Sequence, residues 1–324
     1  MIPGGQEVPD SVGSMAPRSG VAVVGSISAD LTVFASALPR PGETVIGETF
    51  SMVLGGKGAN QALAAVRAGA PTFMIGAVGN DHFGDLTLET LRADGVDTAT
   101  VRVLDGATGI AHIRVDVASG ENDIVIVPEA NHRLEPDAVE QALRELADRI
   151  SVVLVQLETP LKVVQRVTEV CRALDLRLVL DPAPAQPLPD GAWSGVFAVK
   201  PNETEAAILT GQPVTDQSSA ERAARWFLDR GVEVAIITLG SRGALAVSGD
   251  TVQVLPAFAV RAVDTTAAGD AFTGAFGAGL AGGLATPDAL RRALAASALA
   301  VTVRGASPSL PTAAAVDAFL REQH

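Results

Sequence analysis

From residue 72 onward the chain alternates short apolar runs with longer stretches of helical spacing, and this succession constrains the fold more than any other feature. Strand-like runs fall at 72–78, 152–157, 177–180, 196–199, 234–239 and 244–247; helical stretches fall among them at 83–93, 136–149, 161–173 and 220–229. A short run that is apolar throughout suits a strand covered on both faces, and repeated strand and helix imply a parallel sheet with helices on either side. The run at 21–25 reads as one more such strand. The expected fold is therefore α/β, a central, mostly parallel, doubly wound sheet with helices on both faces.

Polar clusters follow several of these runs: Ser26, Ser28 and Asp30; Gln156-Leu157-Glu158; Asp181-Pro182-Ala183-Pro184; Lys200-Pro201-Asn202-Glu203-Thr204-Glu205; and Thr238-Leu239-Gly240-Ser241-Arg242-Gly243. Open α/β sheets bind ligands beyond the carboxyl ends of their strands, so these clusters should converge on one edge. For Asp30 taken alone, capping or turning a loop is the competing explanation.

Two patches break the succession. Residues 42–54 are rich in strand formers with no helix behind them, and 108–127 contains two alternating runs joined by Ser119-Gly120-Glu121-Asn122. Such a hairpin, with the first patch, should leave the main sheet and form a small β-sheet lid. It would cover a site or give a surface for a second copy.

Composition narrows the function. A net charge of −13 with no basic cluster argues against nucleic acid or an anionic membrane as partner. The single cysteine, Cys171, cannot form an internal disulfide; it reads as a small buried apolar residue in a reducing compartment. Residues 1–18, with Pro3, Gly4, Gly5, Pro9, Gly13 and Pro17, lack the apolar core of a signal peptide and read as a flexible tail ahead of a domain spanning 19–324. A cytoplasmic location is expected. The four histidines show no metal-ligand spacing.

Two glycine-rich stretches carry the chemistry. In Val263-Asp264-Thr265-Thr266-Ala267-Ala268-Gly269-Asp270-Ala271-Phe272, small residues lead into an apolar helix, so amide N–H groups would face an anion, and Asp270 is a carboxylate placed to take a proton. Gly55-Gly56-Lys57-Gly58-Ala59-Asn60-Gln61 lets backbone approach a ligand and supplies donors from Lys57 and Asn60; alone, it is equally a turn with a solvated lysine. It is not a Walker A loop, because Gly58 stands where Ser or Thr must follow the lysine. Gly277-Ala278-Gly279-Leu280-Ala281-Gly282 matches a dinucleotide fingerprint, but it lies inside the helix after Asp270 and is set aside.

Together these two stretches, with the 200–205 segment between them, resemble the signatures of the ribokinase-like sugar kinases, the PfkB family, over residues 20–322. The resemblance implies an ATP-dependent kinase acting on the 5-hydroxyl of D-ribose, with Mg2+, ATP as co-substrate, K+ as activator and a homodimer formed through the lid strands. It implies that Asp270 is the base and that Ala267, Ala268 and Gly269 form an anion hole. Ser28, Asp30, Gly56, Lys57, Asn60, Glu158 and Asp270 would hold the sugar. Asn202, Glu205, Thr238, Gly240 and Gly269 would serve ATP, with Asn202 and Glu205 also reaching magnesium through water. Asp264, Thr266, Ala300, Val303, Gly305 and Ser309 match the potassium positions. Ser28 departs from the family, whose members usually place Asn there against the sugar. That leaves 2-deoxyribose, another furanose or a nucleoside as alternative substrates, and a non-catalytic sugar-binding regulator as the alternative outside enzymes.

Overall fold

The structure, a computed structural model, describes residues 18–323. The tail expected at 1–18 lies, apart from Arg18, outside the described residues. The chain opens with β1 (Gly20–Val24), β2 (Ser28–Ala35), β3 (Thr49–Gly55), α1 (Lys57–Arg67), β4 (Thr72–Ile75), β5 (Ala77–Gly79) and α2 (His82–Ala93). It continues through β6 (Arg102–Leu104), β7 (Gly109–Asp116), β8 (Asn122–Val127), α3 (Pro136–Leu146), β9 (Ile150–Gln156), α4 (Leu161–Leu174), β10 (Arg177–Asp181) and β11 (Ala198–Val199). The last part runs α5 (Glu203–Thr210), α6 (Gln217–Leu228), β12 (Val234–Thr238), β13 (Ala244–Ser248), β14 (Thr251–Leu255), α7 (Ala268–Ala281), α8 (Thr286–Ala300) and α9 (Ala313–Glu322).

The main sheet has eight strands in the order β14-β13-β12-β11-β10-β9-β1-β4. Pairing is parallel from β12 to β4 and antiparallel at β12-β13-β14. Side chains alternate across a strand, so one strand feeds two cores. Ala22, Val24, Val153 and Val155 face Val139, Val163, Val167 and Phe227 of α3, α4 and α6. Val21, Val23, Val152 and Leu154 face Leu63, Phe272, Phe276 and Leu290 of α1, α7 and α8. With both faces covered, these strands have no polar face to show, hence the unbroken apolar runs.

Four expectations change. The 72–78 run breaks at Gly76: β4 stays in the main sheet, and β5 pairs with β6 in a separate ribbon. A Cβ on Gly76 would stand 2.8 Å from the Gly25 carbonyl, so the chain crosses β1 too closely for any side chain. The lid has four strands, ordered β3-β2-β7-β8, and its first strand is β2, which carries Ser28 and Asp30, read from sequence as polar groups following β1, and continues to Ala35. β3 begins at Thr49, and residues 42–48 are not strand. Finally, 251–255 adds an antiparallel edge strand that the sequence reading missed.

The glycines set aside in α7 have a packing role. A Cβ on Gly274 would meet the Ala64 side chain at 2.4 Å and the Gln61 carbonyl at 2.7 Å, and one on Gly277 would meet Leu154 at 2.8 Å. Their absence of side chains lets α7 lie against α1 and β9, which draws the amino-terminal turns of both helices toward one point.

Candidate active site

That point is the carboxyl edge of the main sheet, where Ser26, Gln156, Asp181, Lys200 and Thr238 end or follow β1, β9, β10, β11 and β12. A cleft of about 230 Å³ opens there, lined by Lys57, Asp181, Ala183, Lys200, Asn202, Glu205, Thr238, Thr265, Ala267, Gly269 and Asp270.

Asp270 sits in the first turn of α7 and is buried. Its Oδ1 accepts from Gln61 Nε2 at 3.0 Å, and its Oδ2 has a long contact of 3.4 Å with Asn60 Nδ2. Burial pushes its carboxyl above the usual range, against the pull of the Lys57 ammonium. The helix is entered through Ala267, held at φ 58°, a left-handed conformation that costs a non-glycine residue roughly 1–2 kcal/mol. The turn closes on itself, with Ala268 N–H donating to Thr265 O at 3.3 Å. Of the expected anion hole, Ala268 is thus partly engaged. The N–H groups of Gly269 and Asp270, in the first turn of α7, have no intrahelical acceptor.

The sugar-side residues gather at the start of α1. A Cβ on Gly58 would lie 2.6 Å from the Gly25–Ser26 backbone, so α1 abuts the end of β1 directly. Gly56 holds φ 86° just ahead of it. Glu158 Oε2 accepts from Ser26 Oγ at 2.5 Å and from Lys57 N at 3.0 Å, which fixes the carboxylate and leaves Oε1 over. Asn60 Oδ1 is buried with no hydrogen-bond partner among the described residues, an orphan acceptor that a ligand hydroxyl would satisfy. Ser28 Oγ donates to Asp30 Oδ1 at 3.1 Å. Burial lifts Asp30 to about 6, helped by Glu158 and Asp270 and only partly offset by Ser28. Burial alone would depress Lys57; the carboxylates of Asp270, Asp181, Glu158 and Glu205 outweigh it and hold the ammonium above its ordinary value.

On the other side, Asn202 and Glu205 form a capping box on α5: Asn202 Oδ1 accepts from Glu205 N and Glu205 Oε2 from Asn202 N, each at 2.8 Å. One oxygen of each is thereby engaged with the helix. Thr238 forms a bridge with Asn202, and its N–H donates to Pro201 O at 3.0 Å. Gly240 opens the turn that follows β12, at φ 56°.

A family model described as pfkB family carbohydrate kinase matches residues 18–313. The chain belongs to the PfkB family of carbohydrate kinases. Within that family it is 40% identical over 296 residues to the ribokinase of Haemophilus influenzae, spanning 91% of this chain and 96% of that protein. It is 36% identical over 295 residues to the deoxyribokinase of Salmonella typhi, spanning 90% and 95%. The structure of Arabidopsis thaliana ribokinase complexed with ribose and ATP matches with a TM-score of 0.87 at 33% identity, covering 95% of this chain and 99% of its own. A structure assigned to ribokinase II of E. coli, in complex with ATP and Mg2+, matches with a TM-score of 0.78 at 27% identity, covering 94% and 99%.

Of the PfkB positions expected for potassium, Asp264, Thr266 and Gly305 are joined just ahead of α7. Asp264 Oδ1 accepts from Thr266 N at 2.9 Å and Thr266 Oγ1 at 2.6 Å, and its Oδ2 accepts from Gly305 N at 2.9 Å. Burial works to raise Asp264, but these donors prevail and hold it below the usual carboxylate range. Val263 and Asp264 N–H both donate to Val301 O, Val303 N–H donates to Ala300 O, and Ser309 Oγ donates to Ala306 O. Asp264 thus fastens the loop before α7 to the 301–305 turn. Among the described residues, no group of three or more His, Cys, Asp or Glu is placed to hold a metal ion.

Sequence reasoning gave no role to Gln61, Asp181, Lys200 or Thr265. The clusters containing Asp181 and Lys200 were visible, but their pairing across 19 residues of chain needs the sheet order. Gln61 stands within the family-like glycine stretch; its partners lie on β9, β10 and α7.

Proposed function

We propose that this protein transfers the γ-phosphoryl of ATP to the 5-hydroxyl of D-ribose, giving ribose 5-phosphate and ADP. The observation that carries the reading is Asp270: a buried carboxylate with one oxygen pinned and the other available, in the same helical turn as two N–H groups without intrahelical acceptors. Asp270 Oδ2 accepts the hydroxyl proton as that oxygen attacks phosphorus in line. The Gly269 and Asp270 N–H groups and the Lys57 ammonium meet the charge on the transferring phosphoryl. Asp30, Glu158 and Asn60 hold the sugar hydroxyls, with the orphan Asn60 oxygen as one acceptor.

The cleft brings more carboxylates than ammonium groups to an anionic substrate, so ATP needs a divalent cation as companion. The residues present fit Mg2+ indirectly: the capping box leaves Glu205 Oε1 and only a lone pair on Asn202 Oδ1, which suits contact through water. When bound, Mg2+ supplies charge neutralisation between the phosphates. For K+, the loops at 264–266 and 300–309 offer mainly backbone carbonyls, donors suited to a large monovalent ion. It would stiffen the turn that presents Gly269.

Ser28 favours one second reading. Its hydroxyl hydrogen is directed to Asp30, so toward the sugar it offers only lone pairs, and 2-deoxyribose becomes a competing substrate. The test is ADP release with ribose, 2-deoxyribose and adenosine, each with and without K+. Ribose should give the highest kcat/KM, and K+ should raise turnover. Because Asp30 titrates near 6, the KM for the sugar should rise as pH falls through that value and the carboxylate acceptor is lost. Absence of sugar-dependent ADP release with any of the three would overturn the reading.

We further place a second copy of the chain against the lid. Ile124, Val125 and Ile126 of β8 are all more than half exposed, as are Phe50 of β3 and Ile46 beside it, and β3 and β8 are the sheet's open edges. Apolar edge strands of this kind need cover. Light scattering at micromolar concentration should give the mass of a homodimer; a fully active monomer would count against it. Among the described residues no helix is long and apolar enough to cross a membrane.

A further inference from the structure

One side-chain amide stands between the two buried acids of the site. Gln61 Nε2 donates to Asp181 Oδ2 at 2.9 Å and to Asp270 Oδ1 at 3.0 Å, while its oxygen accepts from Gln156 Nε2 at 2.6 Å. Gln61 and Gln156 are both fully buried. Only an amino group can sit between two carboxylates, so the orientation of Gln61 follows from its neighbours, and both of its hydrogens and its oxygen are in use. Behind it, Lys200 Nζ lies 3.2 Å from Asp181 Oδ2 and donates to Gly269 O at 3.3 Å. Thr273 Oγ1 makes the same pair of contacts, at 3.5 Å and 3.0 Å. The single Thr273 hydrogen goes to the nearer acceptor, so Asp181 Oδ2 collects donors from α1 and from the segment after β11, and the Gly269 carbonyl is held from two directions.

We propose that Gln61, backed by Asp181 and Lys200, is a positioning device that decides which oxygen of Asp270 receives the substrate proton and keeps the Gly269 peptide aimed at the phosphoryl group. The inference rests on Asp270 being the base. Gln61 ties down Oδ1; Oδ2 keeps only the long Asn60 contact and is the oxygen left for a hydroxyl. Lys200 acts on the same turn through the carbonyl of Gly269, the residue preceding the base. A Cβ on Gly269 would stand 3.0 Å from Lys200 Nζ, which shows how closely the ammonium approaches this turn.

The charged groups facing Asp270 give the device an electrical signature. They are Lys57 from α1, Asp30 from β2, Asp181 from the end of β10 and Lys200 from the segment after β11. The Gln61 donor and the two ammonium groups favour the ionised base, and the Asp181 charge opposes it. Gln61→Met removes the donor with little change of shape, so the acid limb of the kcat profile, measured at saturating sugar so that Asp30 does not enter through KM, should move to higher pH by ~1 unit. Asp181→Asn removes the opposing charge and should move it to lower pH by a similar ~1 unit. Gln61→Met should also lower kcat by ~10²-fold through misplacement of the base, with sugar and ATP binding changed far less.

Opposite displacements are what a packing role cannot produce, because loss of packing would leave both limbs in place. Asp181→Asn is isosteric but strands the Lys200 ammonium, so Gln61→Asn, which withdraws the same amide by one methylene, keeps the upward displacement testable should either of the other variants fail to fold. Asp270→Asn, measured in the same series, separates the two claims: retention of turnover would overturn the base and this inference together. If Asp270→Asn is inactive while the limb in Asp181→Asn stays at the wild-type position or moves upward, the positioning device alone is overturned.

Discussion

Replacing Asp270 by Asn is expected to lower turnover by at least ~10²-fold while leaving sugar and nucleotide binding largely intact. The substitution keeps the size of the side chain, and an Asn oxygen can still accept from Gln61 Nε2 as Asp270 Oδ1 does now. What is lost is basicity at the second position, where an amide nitrogen would stand facing the sugar hydroxyl. Proton removal is a modest part of phosphoryl transfer, and the N–H groups of the α7 turn would remain, so some residual activity should persist. Single-turnover ADP formation, with sugar binding followed separately by calorimetry, distinguishes the effects: lost chemistry with retained binding supports the base. Near-normal turnover would remove Asp270 from that role. Stability adds a second readout. Burial raises the Asp270 carboxyl above its unfolded value, so its ionisation disfavours the fold as pH rises through the folded pKa, and the uncharged Asn should be more stable there.

The doubly wound sheet was legible because burial on both faces forces unbroken apolar runs, and those of β9, β10 and β12 fall where the runs predicted them. β2 was not, since its Ser28 and Asp30 read as loop chemistry; the strand that carries them pairs in register with β3 and with β7, 81 residues away at Ser28↔Gly109. Asp270, Lys57, Asn60 and Glu158 were visible because glycine-rich turns and strand ends mark places where backbone approaches a ligand. Gln61 was not singled out: a glutamine in an alanine-rich helix carries no local signal, and its meaning comes from Asp181 and Asp270, 120 and 209 residues away. For Ala268, expected in the anion hole, sequence does not show that its N–H also reaches back to Thr265 O at 3.3 Å.

Lys200→Met is expected to cost ~3–5 kcal/mol of folding stability, the usual penalty for stranding one member of a buried ion pair. Lys200 and Asp181 are 5% and 2% exposed, and their charged atoms lie 3.2 Å apart. Without the ammonium, Asp181 keeps the neutral donor Gln61, with the Thr273 hydroxyl 3.5 Å away and turned to Gly269 O, and its Oδ1 already lacks a partner among the described residues. Adding Asp181→Asn removes the stranded charge, so the double variant should regain most of the loss, as judged by urea unfolding at neutral pH. Equal losses in the single and double variants would show that the pair is not coupled. Turnover should behave differently. Neither introduced side chain would replace the ammonium that holds the Gly269 carbonyl at 3.3 Å, so catalysis should remain depressed in the double variant even as stability returns. A double variant that recovered both would reduce Lys200 to a counter-ion for Asp181, and the anion-binding turn would then depend on Thr273 and the strained Ala267 entry alone.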